Sequence, residues 1–354
     1  MREKMFCRLS LAVCLLLLLF IVRAPHGELL ESENRAYTAF SLATPDGYFT
    51  DRLPMREHLL RLSRNLALAL GKNEFAGAFL GRNGYLFANE STSTETLTKN
   101  LDAVQIFADA LDIPVYTAVV GAKTDVLFGS LPRLYADERE SLWQTLLESD
   151  LQTVDLLPTL CRRGGEGKYI YYRGDHHLTT LGSYYVYREI AEALGISPYD
   201  AKDFSVGVVK ADFSGSDARK MLCATNDKIA LFRYAQDGAF LVENRDSGES
   251  MRGLYNADKL YSSDPYGVFP IADCGYARIT LPNAARQKLL LLCDSYGDAL
   301  APFLARHYDL DIIDPRYYGG SVKALAAENG YAAVLVYFGM DTIAGKEILY
   351  KLRF

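Results

Sequence analysis

The sequence predicts an α/β fold in which a parallel sheet is flanked by helices. Three observations carry that prediction. Apolar runs at 113–119 (IPVYTAV), 288–293 (KLLLLC) and 333–338 are continuous rather than alternating, as expected of strands covered on both faces. From residue 288 onward such runs are separated by single helical segments, an order that implies right-handed crossovers into a parallel sheet. The composition, 49% hydrophobic and 23% charged, is that of a globular chain and excludes a disordered one.

Taken in chain order, the first segment stands apart. Residues 9–22 (LSLAVCLLLLLFIV) form an apolar run of 14 behind Arg2, Lys4 and Arg8. A basic flank before such a run reads as a secretory signal peptide or as an uncleaved membrane anchor. The run falls short of the ~20 residues of a stable span. Residues 1–27 are therefore set apart, and either outcome makes the remainder extracytoplasmic, secreted or anchored to the cell membrane. That remainder holds 34 basic and 43 acidic residues, and an acidic body argues against a nucleic-acid partner.

Residues 28–75 read as a helical lead-in. Leucines recur at helical intervals on one face of 55–70 (MREHLLRLSRNLALAL), and Gly71 closes the helix. Residues 76–354 form the expected α/β domain. Asn83-Gly84 between apolar flanks marks a hairpin over 77–88, and helices are expected around 94–111, 137–147 and 180–194. At about 204–283 the character changes to short β-like runs between Gly, Asp and Ser turns, a β-rich insertion. Strand 288–293, helix 299–306, a strand closing at 311–314, helix 322–328 and strand 333–338 complete the chain. Sites in parallel sheets gather at the carboxyl ends of strands, here 294–298, 315–319 and 339–342.

The four cysteines beyond the leader, Cys161, Cys223, Cys274 and Cys293, show no CxxC and no zinc spacing. A Cys223–Cys274 disulfide and free buried thiols both fit. No glycine-rich nucleotide fingerprint appears, so neither a cofactor nor a metal is expected.

The first strand end reads Asp294-Ser295-Tyr296-Gly297-Asp298. A serine on a tight strand-to-helix turn exposes its hydroxyl beside backbone N–H groups that can stabilise an oxyanion. The same turn also suits a plain helix cap. A serine nucleophile needs a histidine held by a carboxylate, and the chain has only five His. His26, His58 and His307 sit at the leader boundary, in an amphipathic helix and at a helix end. Asp175-His176-His177 supplies carboxylate and imidazole together, and in an extended turn Asp175 and His177 point to one side.

The stretch Tyr171-Tyr172-Arg173-Gly174-Asp175-His176-His177-Leu178-Thr179-Thr180-Leu181-Gly182-Ser183-Tyr184-Tyr185 resembles the signature of bacterial DHHW-family proteins. Further segments match in the same order: Glu33-Asn34-Arg35, Gly81-Arg82-Asn83-Gly84-Tyr85-Leu86-Phe87 and Asp212-Phe213-Ser214-Gly215. Cys293-Asp294-Ser295-Tyr296-Gly297, Pro302-Phe303-Leu304 and Asp314-Pro315-Arg316-Tyr317-Tyr318 follow. That family is similar to the SGNH-hydrolase-like acetyltransferases that O-acetylate secreted alginate. The resemblance implies an SGNH-hydrolase-like α/β domain behind a signal or anchor, with a Ser-His-Asp triad. It assigns Ser295 as nucleophile, His177 as general base and Asp175 as its orienting carboxylate. His176 fills the spacer position with an auxiliary role open to it. Arg316, with Tyr317 or Tyr318, is assigned to substrate or oxyanion.

Two positions depart from the family. Its Trp is Leu178 here, which removes an aromatic wall. The third strand end, Phe338-Gly339-Met340-Asp341, lacks the side-chain Asn that often serves the oxyanion, leaving the backbone N–H of Ser295 or Gly297, helped by Arg316. Loss of one such donor costs about 10²–10³ in rate.

The sequence thus leads to an exported SGNH-like O-acetyltransferase or acetylesterase acting on a cell-envelope or secreted polysaccharide. The resemblance implies a membrane-bound O-acyltransferase as acetyl donor. The alternative is a catalytically degenerate polysaccharide-binding or envelope-complex module. Reading Asp-His-His as the metal motif of DHH phosphodiesterases would require upstream Asp ligands, and no Asp-x-Asp precedes Asp175.

Overall fold

The structure, a computed structural model, describes residues 45–354 except 89, 133–134, 136–138 and 272–273, and before them only 10–12, 15, 29–30 and 35–43. The expected leader at 1–27 therefore lies almost wholly outside the described residues. Among the described helices, none is long and apolar enough to cross a membrane.

The strands begin with a short antiparallel pair, β1 (Leu29–Leu30) and β2 (Arg35–Ala36). Next, β3 (Glu74–Phe75), β4 (Ala78–Leu80) and β5 (Leu86–Ala88) form an antiparallel three-stranded sheet. Asn83 and Gly84 turn the chain between β4 and β5 with φ of 58° and 75°, the left-handed values an Asn-Gly turn accommodates. The central sheet takes β6 (Val115–Val120), β7 (Gln152–Val154), β13 (Lys288–Cys293), β14 (Asp309–Ile313) and β15 (Ala333–Gly339) as parallel strands. Its order across these five is β14-β13-β15-β6-β7.

The region expected as an insertion divides between two sheets. β8 (Ser205–Phe213) and β9 (Asp227–Arg233) form a separate antiparallel ribbon. β10 (Leu241–Asn244), β11 (Ser250–Arg252) and β12 (Tyr276–Thr280) instead extend the central sheet, with β12 antiparallel to β14. Burial explains the switch. Every residue of β15 is buried, whereas buried and half-buried residues alternate along β12, the pattern of an antiparallel strand covered on one side.

Helices cover both faces. Leu289, Leu291, Leu335 and Tyr337 meet α6 (Leu157–Gly165), α7 (Thr180–Ala193) and α9 (Tyr296–Ala305) in one core cluster. The intervening Leu290, Leu292, Val334 and Val336 meet α3 (Thr94–Asp109), α5 (Glu140–Leu147) and α10 (Val322–Glu328) in another. Period-2 alternation thus sends one strand's side chains into two cores. Each buried leucine contributes about 1.5–3 kcal/mol, which makes this sheet the rigid platform for its strand ends. Further α-helices among the described residues are α1 (Pro45–Asp51), α2 (Arg56–Ala69), α4 (Lys123–Val126), α8 (Ser216–Lys220) and α11 (Met340–Gly345). No residue of α2 is buried. Cys223 is a free thiol, so the Cys223–Cys274 disulfide is not formed.

Candidate active site

β13 ends at Cys293, and the chain turns at once into α9. Asp294 caps this turn: its Oδ1 accepts the Tyr296 N–H at 3.0 Å and its Oδ2 accepts the Gly339 N–H at 3.0 Å. Burial raises the Asp294 carboxyl, against the Thr342 side chain and the Gly339 amide, which lower it. Since Asp294 does the capping, Ser295 makes no side-chain cap bond. Its Oγ lies 2.8 Å from His177 Nε2 instead.

His177 comes from the turn between residue 171, bridged to Leu178, and α7. Its Nδ1 is 2.6 Å from Asp175 Oδ1, which also accepts the His177 backbone N–H at 3.0 Å. With Asp175 as the Nδ1 partner, the neutral ring carries its proton there and presents Nε2 as an acceptor to Ser295. Asp175 and His177 are 3% and 7% exposed. Burial alone would raise the Asp175 carboxyl, yet the two imidazoles and the Ser216 N–H hold it well below the usual carboxylate range. The result is a buried, ionised carboxylate, an imidazole and a half-buried hydroxyl in one hydrogen-bonded chain.

Several supports of this chain were not visible in sequence. Ser216 N–H donates to Asp175 Oδ2 at 2.7 Å, and a Cβ on the preceding Gly215 would collide with that carboxylate. Tyr266 stacks on the His177 ring, centroids 4.1 Å apart and planes 11° from parallel. Leu178 itself is a core residue, 1% exposed, so the aromatic face beside His177 comes from Tyr266. Tyr296 OH donates to the His176 carbonyl at 2.9 Å, tying the histidine turn to α9. Gly215 and Tyr296 do fall in the matched segments Asp212-Phe213-Ser214-Gly215 and Cys293-Asp294-Ser295-Tyr296-Gly297, but their sequence did not reveal these contacts.

The other candidates separate into two groups. Arg316 and Tyr317 line the same cleft as Ser295, His176 and His177, a cavity of about 210 Å³. Arg316 Nε and Nη2 are held by Asp314 at 2.6–3.0 Å. His176 Nδ1 lies 2.8 Å from Ser216 Oγ, and its position in the cleft, then His177, lower its pKa. Gly297 does not serve as expected: its N–H donates to the Asp294 carbonyl at 2.9 Å. A Cβ at Gly297 would strike the Cys293 Sγ, so glycine is required here by packing. Tyr318 packs against Tyr276, centroids 5.9 Å apart, outside the cleft lining. At the third strand end, Gly339 contributes its amide to Asp294, and Asp341 turns to Arg139 at 2.5 Å.

Asp175, His176 and His177 bring three potential metal-ligand atoms within 4.8 Å of one another. Both nitrogens of His177 and the Nδ1 of His176 already have hydrogen-bond partners. The donor set suits proton relay better than a metal.

Comparison with known proteins bears on this arrangement. Residues 159–313 match the family model of DHHW protein, a span that contains Asp175, His177 and Ser295. Residues 78–219 match the model of the SGNH hydrolase-like domain, acetyltransferase AlgX. The chain is similar to DHHW proteins, and its fold is SGNH-hydrolase-like. A DHHW family protein from Eubacterium siraeum superimposes with a TM-score of 0.66 at 18% identity, over 79% of this chain and 96% of that one. Bacillus cereus PatB1, in a structure with a sulfonyl adduct, gives 0.65 at 18% identity, over 78% and 99%. At such identities the likeness speaks to the fold. No curated protein matches the sequence. The DHHW-like span thus takes in both the histidine turn and the serine turn, whereas the AlgX-like span ends before the serine.

Proposed function

We propose that this DHHW-like chain is a serine-dependent O-acetyltransferase or acetylesterase acting outside the cytoplasm on a cell-envelope or secreted polysaccharide. The observation that carries the reading is the chain from Ser295 Oγ through His177 to Asp175, with contacts of 2.8 and 2.6 Å. In this mechanism Ser295 Oγ attacks an acetyl carbonyl carbon while His177 Nε2 takes its proton. The tetrahedral species collapses, the donor oxygen leaves with the proton from His177, and an acetyl ester remains on Ser295. A sugar hydroxyl, or water in the esterase direction, then loses its proton to His177 and attacks that ester, restoring the Ser295 hydroxyl. Asp175 stays ionised throughout and stabilises the imidazolium.

The oxyanion is served by the Ser295 N–H at the start of α9, assisted by Arg316 across the cleft. With Gly297 N–H committed to Asp294, this hole has few donors. That observation favours the second reading, a module that binds polysaccharide or an envelope complex without turnover. A membrane-bound O-acyltransferase is the acetyl donor in the first reading.

One experiment separates the two. Wild type and Ser295→Ala are compared for hydrolysis of an activated acetyl ester and for labelling by a sulfonyl fluoride. Turnover and a label on Ser295 are expected of wild type alone. Equal rates and no label in both would leave the binding module.

A further inference from the structure

Leu59, Leu62, Leu66 and Leu70 run along one side of α2 and its C-cap, 48%, 65%, 59% and 72% exposed. Spacings of three and four residues make them one stripe, which Met55, 71% exposed, extends at the N-terminal end. On the opposite side Arg64 Nη1 donates to the Met221 and Leu222 carbonyls at 2.8 and 3.0 Å. The helix is thus fastened to the body with its leucines facing out. The segment leading into it adds Phe40 and Leu42, 56% and 88% exposed. So much exposed apolar surface in one segment marks an interaction site.

Charge identifies what it meets. Between residues 52 and 72 stand Arg52, Arg56, Arg61, Arg64 and Lys72 against Glu57 alone, in a chain whose formal net charge is -6. A second copy of the helix would bring like charge to like charge. An anionic lipid surface offers apolar depth for the leucines and a negative potential that attracts this net basic segment, the requirement of a helix lying in a membrane interface. We propose that α2 docks on an anionic lipid surface, leucine stripe inward and parallel to the bilayer plane. The position fits the cleft: Arg61 and Arg219 line one surface depression, and Arg219 also lines the cavity holding Ser295. The inference does not depend on acyl transfer.

The chain's single tryptophan, Trp143, is 8% exposed and gives a steady background. The full chain carrying Leu62→Trp is mixed with vesicles of phosphatidylglycerol and phosphatidylcholine, with and without brominated acyl chains. A blue shift and quenching by bromine are expected with phosphatidylglycerol, and much smaller changes with phosphatidylcholine alone. A Tyr261→Trp chain, altered at a site 89% exposed, stays unshifted. An unshifted Leu62→Trp signal overturns the proposal even if the chain sediments with vesicles through another segment. A shift that grows with protein concentration in the absence of lipid overturns it in favour of self-association, and equal shifts at both sites overturn it as non-specific adsorption.

Discussion

At the scale of single residues, the site depends on how firmly Asp175 is gripped. Its two oxygens take the His177 N–H, the His177 ring and the Ser216 N–H, and the space beside it is kept open by Gly215. Asp175→Asn keeps the shape but offers its amide to a ring that needs an acceptor at Nδ1, favouring the wrong tautomer. On the proposed chemistry, acetyl-ester kcat falls on the order of 10³–10⁴-fold in Asp175→Asn. Gly215→Ala leaves Ser295, His177 and Asp175 chemically intact and pushes the Asp175 carboxylate aside. Its kcat falls about 10²-fold, with a melting temperature measured alongside to separate misplacement from unfolding. An unchanged kcat in Gly215→Ala would mean that the turn yields at no catalytic loss.

At the scale of elements, the histidine turn is suspended between buried ionic anchors. Lys123 on α4 reaches Asp217 on α8 at 2.7 Å and also donates to the Arg173 carbonyl at 3.3 Å, with the two charged residues 4% and 1% exposed. On the other side Asp227, wholly buried, accepts the Arg173 and Gly174 N–H groups at 3.0 and 2.7 Å. Removing one partner of a buried ion pair strands the other. Lys123→Met should therefore cost about 3–5 kcal/mol, and Lys123→Met/Asp217→Leu should recover most of it, both read from urea midpoints. These anchors also mark the limit of what sequence conveys. Asp175, His177 and Ser295 could be picked out because histidines are scarce and strand ends are where sites gather. Ser216, Asp227, Lys123 and Tyr266 could not, since a buried lysine or a stacking tyrosine has no local pattern and its partner lies dozens of residues away. The leucine stripe of α2 illustrates the opposite difficulty: helical periodicity reveals a face, and only the surrounding fold reveals what that face touches. Likewise β10–β12 lie in the stretch read as β-rich, but their membership in the central sheet is a matter of long-range pairing.

At the scale of the whole molecule, half-buried imidazoles tune stability to pH. His307 lies just past the C-cap of α9 with its Nε2 2.7 Å from Tyr187 OH. Burial first, then the nearby Arg286 and Arg306, lower its pKa from 6.5 to about 4. Between those values the unfolded chain binds a proton that the folded chain refuses, so stability falls as pH falls through this window. His176 is shifted in the same direction. The melting temperature should decline on acidification from about pH 7 to about pH 5, and His307→Phe should flatten that decline. An identical slope in the variant would assign the effect to other groups.

The contact between Ser295 and His177 joins residues 118 apart in sequence, and Tyr266, which backs the imidazole, arrives from the segment between them. Closing loops of this length costs chain entropy before any contact rewards it. Ser295 therefore meets His177 only after the sheet that carries one and the turn that carries the other have both formed. On the proposed chemistry, a nascent or partly folded chain has no assembled nucleophile to acylate, and competence waits on long-range pairing.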